Sequence, residues 1–189
     1  MGMGLIPCLI LGLAFVIDQL GAEPINVLIN QTGLWSLRFL LLTLSITPIQ
    51  YFTGWQIFND LNLRRTLGLY AFFYSCIHFL AYLWFEQSFE WSEIFKDFIT
   101  RPPIAIGVFS FSLMTLLAFS SHEKIKIYLG PHRWKSLHQW IYIIAIGGIM
   151  HFWWLTKVPP RELLFYTGVL VILLFLKVLP KKVFKNRQV

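Results

Sequence analysis

Charge is what this sequence has least of. Only 13% of its 189 residues are Asp, Glu, Lys or Arg, about half the share a soluble domain needs for its surface. That scarcity excludes a soluble globule. Acids are rarer still, nine against sixteen Lys and Arg. Cysteine is nearly absent: Cys8 and Cys76 lie 68 residues apart inside apolar stretches. No C-x-x-C spacing exists, which argues against a zinc site or a redox dithiol, and both read as small apolar packing residues. Internal repeats and low-complexity linkers are missing, and no loop is long enough to hold a nucleotide-binding reductase domain. The N-terminus shows neither a basic n-region nor an A-x-A site, so its first apolar stretch reads as a retained span.

Long hydrophobic runs fill the space that charge leaves. Apolar residues make up 57% of the chain, with 18 Phe and 8 Trp, a composition suited to lipid-facing surfaces and interfacial aromatic belts. A helix crossing a bilayer needs about 20 mostly apolar residues. Such segments fall near 4–20, 34–53, 66–85, 102–120, 138–156 and 162–180, the first being the shortest. The expected fold is an all-α integral membrane protein, a single domain over 1–189 built as a six-helix transmembrane bundle.

The net charge of +7 is placed by topology and gives no reason to expect nucleic acid. Eleven of the sixteen basic residues fall in the 2–3 loop, the 4–5 loop and the C-terminal segment: Arg64, Arg65, Lys124, Lys126, Arg133, Lys135, Lys177, Lys181, Lys182, Lys185 and Arg187. Seven acids fall on the other side: Asp18, Glu23, Glu86, Glu90, Glu93, Asp97 and Glu162. By the positive-inside rule both termini are cytoplasmic. The longest external loop, 86–101, carries Phe89, Phe95 and Phe98 among acids. It reads as a short interfacial helix, either a docking surface or a plain connector.

Two histidines inside the spans carry the chemistry. His78 lies 13 residues beyond Arg65 at the inner start of span 3, and His151 lies 13 beyond His138 at the inner start of span 5. At 1.5 Å per residue both stand about 20 Å up, in the outer half of a core about 30 Å thick. Ionisable side chains at that depth are costly and mark function. Two neutral imidazoles at one level on parallel helices suit the axial ligation of a haem iron.

At the inner level His138 faces no second histidine; Arg64 stands at the matching depth on span 3. Arginine cannot ligate iron, but it can pair with a propionate or a flavin phosphate. His138 then either holds a second haem with a different or missing sixth ligand, binds the edge of another cofactor, or is an interfacial helix-start residue. On an ideal helix His138 and His151 are about 140° apart, so they share a face only if span 5 is distorted, for which Gly147-Gly148 offers a place. Arg38 either snorkels outward or neutralises a propionate. Gly68 allows close approach of a macrocycle or of another helix, and Pro48 kinks or ends span 2. His122 and His132, in the basic loop, receive no ligand role.

The runs RRTLGLYAFFYSCIHFLAY, FITRPP and LGPHRWKSLHQWIYIIAIGGIMHFWW, with GAEPI and SITPI nearer the N-terminus, resemble the YedZ-type haem-binding membrane subunits, the MsrQ family. The most specific element is L-G-x-x-x-W-x-x-L-H, Leu129 to His138. The resemblance implies a ferric reductase-like transmembrane domain in the bacterial inner membrane, with haem b (one or two) and FMN. It carries His78, His138 and His151 over as haem ligands. It also implies a route for electrons, from the quinone pool or a cytoplasmic flavin reductase to an MsrP-like periplasmic molybdopterin enzyme that reduces methionine sulfoxide in proteins.

Two further functions compete. One is a stand-alone haem reductase of metal ions or quinone at the outer face. The other is a cofactor-free transporter, which would place paired charges or broken helices near the midplane; almost no acids occur within the spans.

Overall fold

The structure, a computed structural model, describes residues 2–53, 61–158 and 160–178, and among them all regular structure is helical. After a 3₁₀ turn at Gly2–Leu5 come α1 (Ile6–Val16), α2 (Pro24–Thr53), α3 (Leu61–Ala81), α4 (Trp91–Thr100), α5 (Pro102–Ser120), α6 (Glu123–His138), α7 (Ile141–Leu155) and α8 (Arg161–Val178). A single π-helical turn, Tyr82–Glu86, extends α3. Among the described residues, three segments are long and apolar enough to cross a membrane: Pro24–Phe52, Asn62–Glu86 and Pro102–Ser120.

Several boundaries move from expectation. The first apolar helix ends at Val16, where Asp18 takes a left-handed φ of 55°, so it is shorter than the expected 4–20. The second helix begins ten residues before the expected 34 and runs through Pro48. The last helix is described to Val178; Lys181, Lys182, Lys185 and Arg187 lie outside the described residues. The helix expected within 86–101 is α4.

The largest revision concerns the start of span 5. His138 closes α6, and α7 begins only at Ile141. Between them the backbone tightens into i→i+3 bonds, Gln139 N–H to the Ser136 carbonyl at 3.2 Å and Trp140 N–H to Leu137 at 3.1 Å. The helical phase linking His138 to His151 is therefore broken at Gln139-Trp140, and Gly147-Gly148 sit inside an unbroken α7. Gly130 (φ 72°, ψ 164°) kinks α6 in a conformation that favours glycine. Trp134 then pins α6 to α5 through Nε1–H on the Ser120 carbonyl at 3.0 Å.

The core is formed by α2, α3, α5, α7 and α8, around Leu37, Phe39, Leu40, Tyr74, Met114, Ile144 and Leu163. Large apolar side chains such as Phe109, Leu116, Phe119, Phe165 and Phe175 point outward, the inside-out economy of a protein solvated by lipid. Every buried side-chain polar atom among the described residues has a partner. Ser36 Oγ–H, for example, donates to the Ala71 carbonyl at 2.9 Å across the α2–α3 contact, where small residues let the backbones close in.

Tyr74, with no exposed surface, ties the N-terminal helix to α3. Its hydroxyl donates to the Gly4 carbonyl and accepts from the Cys8 amide, both at 2.9 Å. Those two backbone groups are four residues apart, the partners of one ordinary helical rung, and the phenol has entered that rung. Tyr74→Phe leaves the Cys8 amide and the Gly4 carbonyl unpaired, a loss of about 1–3 kcal/mol. Thermal unfolding of the detergent-solubilised protein should show a lower midpoint; an unchanged midpoint would exclude this anchoring role.

Candidate functional site

Helices α2, α3, α5 and α7 enclose a cavity of about 290 Å³, close to the lower size of small-molecule sites. On α5 its wall runs from Arg101 to Met114, a rise of about 20 Å. Leu37, Leu40, Phe79, Phe111 and Phe152 make it mostly apolar, and His78 and His151 reach into it from α3 and α7.

The two imidazoles face each other, ring centres 6.1 Å apart and planes at 89°. His78 Nδ1 meets the Ile29 carbonyl at 2.8 Å and His151 Nδ1 meets the Pro103 carbonyl at 2.7 Å. A carbonyl can only accept, so each Nδ1 carries the proton and each Nε2 keeps the lone pair a metal uses.

The backing of the two rings is the same. Gly33 lies four residues beyond Ile29, and a Cβ there would come within 3.1 Å of the His78 ring. Gly107 lies four residues beyond Pro103, and a Cβ there would come within 2.7 Å of His151 Nδ1. The reason is helical geometry: the carbonyl of residue i points at residue i+4, so an imidazole bonded to that carbonyl overlies position i+4. Each histidine is also nearly the same distance in sequence from its carbonyl, 49 and 48 residues. The two halves of the site thus correspond in contacts although the sequence shows no repeat. Gly33, Gly107 and the two carbonyls were not picked out from sequence; the glycine–histidine pairs they form join different helices, 45 and 44 residues apart in the chain.

The donor set fits a haem. Two imidazoles on separate helices, each with Nδ1 committed to a carbonyl, would each offer Nε2 to one iron. Among the described residues no three His, Cys, Asp or Glu side chains converge. Two imidazoles alone do not complete a coordination shell, so the remaining ligands must come from the bound group, as in a macrocycle.

The other expected site residues lie elsewhere. His138 stacks on Trp134 (centres 4.1 Å apart), with Nδ1 at 3.1 Å from the Trp134 carbonyl and Nε2 at 3.4 Å from Ser121 Oγ. It joins α6 to the end of α5, away from the paired histidines. Arg64 donates to Gln50 Oε1 and does not line the cavity. Arg38 is turned toward α8, with Nε–H on the Tyr166 hydroxyl at 2.7 Å, Nη2 at 3.4 Å from Glu162 and its guanidinium over Trp35. It reaches toward the N-terminal end of α8 and does not line the cavity. Gly68 has open space where a Cβ would go, so no neighbouring helix approaches it closely.

These features define a helical membrane domain with paired imidazoles between its central helices, and residues 32–149 match the family described as "Ferric reductase like transmembrane component". Relatives named "Protein-methionine-sulfoxide reductase heme-binding subunit MsrQ" are similar along most of the chain. The protein of Herminiimonas arsenicoxydans is 42% identical over 87% of this chain and 76% of its own. That of Xanthomonas campestris pv. campestris (strain 8004) is 42% identical over 83% and 71%, and that of Azospira oryzae 45% over 83% and 67%. This chain belongs to the MsrQ family. No solved structure matches it.

Gly107→Ala forces the His151 ring off its carbonyl and should lower stability by about 1–3 kcal/mol. Gly68→Ala, in open space within α3, should be neutral or gain up to about 1 kcal/mol from helix propensity. Parallel thermal melts check both; equal effects at the two glycines would rule out the backing role.

Proposed function

We propose that this protein is a haem b-carrying electron-transfer subunit of a protein-methionine-sulfoxide reductase system, in which His78 and His151 would hold the iron of one haem. The observation that carries the reading is the facing pair, 6.1 Å apart with both Nδ1 atoms committed to carbonyls. The names borne by relatives at 42–45% identity support it.

Bound there, haem supplies a reversible one-electron iron couple. The protein's part is to hold two Nε2 lone pairs toward one centre, to keep water out with aromatic and aliphatic walls, and to place the centre near one face. His78 is three residues from the end of α3, His151 four from the end of α7, and Pro103 is the second residue of α5. The site therefore lies within about two helical turns of the end of the bundle that carries α4.

The full reading has six spans in the bacterial inner membrane, both termini cytoplasmic, and the α4 end periplasmic. The excess of Lys and Arg in the opposite loops supports that orientation. Electrons enter from the quinone pool or a cytoplasmic flavin reductase and leave to an MsrP-like periplasmic molybdopterin enzyme. His138, at the end of α6, and Arg64, near the start of α3, are the residues this reading gives to a second redox group at the entry side, a further haem or FMN.

The test is the dithionite-reduced minus oxidised visible spectrum of the detergent-purified protein beside His78→Ala and His151→Ala. A low-spin b-type spectrum in the wild type, lost or converted to high spin in both variants, is expected. Wild-type protein without haem, or haem indifferent to both changes, would overturn the assignment.

A further inference from the structure

The cavity has a mouth at the α4 end, and its chemistry differs from that of its walls. Among the described residues lining the cavity, Arg101 is the one Lys or Arg. It stands six residues before Gly107, which backs His151, a rise of about 9 Å. Its Nη1 donates to Asp97 Oδ2 at 2.9 Å. The same oxygen accepts from the Tyr82 hydroxyl at 3.1 Å and the Gln87 amide at 2.8 Å.

Asp97 is thus a fixed post. Its side chain is 14% exposed while that of Arg101 is 47% exposed, so the acid is enclosed and the guanidinium is held at an opening. Three elements meet on that one oxygen: the π-helical turn, the segment after it, and the start of α5. A guanidinium has five N–H donors in a planar fork, and this contact occupies one side of it. The remaining donors match a carboxylate. The exposed Glu86 also lines the mouth and opposes an incoming anion, so the attraction there rests on Arg101.

We propose that Arg101, oriented by Asp97, is the anion-binding residue that grips the carboxylate side groups of the macrocycle seated between His78 and His151. The inference rests on the haem reading above and deepens it. It gives this role to a residue at the mouth, which neither Arg38 nor Arg64 can fill from their positions on Tyr166 and Gln50. Asp97 is a positioning residue: it touches Arg101, not the bound group.

The test compares haem with its dimethyl ester, whose carboxylates are neutral. Full-length protein produced under haem limitation and solubilised in detergent is titrated with each, following the Soret band. Arg101→Gln should weaken haem binding by about tenfold to a hundredfold, the range of a hydrogen bond to a charged group, and leave the ester unchanged. Retained ester binding also shows that the variant is folded. Arg101→Lys should recover part of the preference for the free acid, and Glu86→Gln should strengthen haem binding without affecting the ester.

Equal weakening of haem and ester by both Arg101 variants would make the residue structural and overturn the proposal. So would haem binding unaffected by Arg101→Gln, with the haem assignment left standing. Wild-type protein that binds neither compound would remove the haem reading itself.

Discussion

An imidazole inside a membrane bundle has two nitrogens to satisfy and no water to do it. Here each Nδ1 is settled on a backbone carbonyl of a neighbouring helix, and most of the central packing follows from that. A carbonyl already inside a helix is reachable only where the helix surface is bare beside it, hence glycine at i+4 in both cases. The histidine-bearing helix must also lie close enough for a ring to reach that carbonyl. The α2–α3 and α5–α7 contacts are the two most extensive in the bundle, and small or polar residues such as Ser36 and Ala71 sit where the backbones approach. Each Nε2 is then left toward the space between the two pairs, and the cavity is the result.

The two ends of the bundle are differently made. At the α4 end, polar contacts surround the mouth and hold a single arginine in the cavity wall. At the other end, aromatic rings and cations dominate: Trp134 stacks with His138, Lys126 lies over Trp134, and Lys177 sits 3.3 Å above the Tyr142 ring. These arrangements lock the helix connections. The L-G-x-x-x-W-x-x-L-H run accordingly does structural work along its length, with Gly130 turning the chain, Trp134 pinning it to Ser120 and His138 completing the stack.

The class of fold was legible because hydropathy reports the solvent, and lipid demands helices. Depth was legible too: a fixed rise per residue put His78 and His151 at one level, and they face each other. Rotation was less legible. Phase counted from His138 carried through a break at Gln139-Trp140 that no Gly or Pro announces, so the supposed distortion at Gly147-Gly148 was misplaced. Arg38 and Arg64 stood out because charge in an apolar run draws attention, yet direction depends on neighbours. Tyr166 and Gln50 claim them, while Arg101 sits outside the apolar runs, where a charge draws no attention. Gly33 and Gly107 were silent for a related reason: their meaning lies in a ring brought from another helix, 45 and 44 residues further along the chain.

The pairing of each histidine with its own carbonyl and glycine also bears on how such a chain is assembled. The carbonyl and glycine that meet His78 stand at 29 and 33, and those that meet His151 at 103 and 107. In chain order the whole first set, ring included, is complete before the second begins. Synthesis therefore delivers the two halves of the site one after the other.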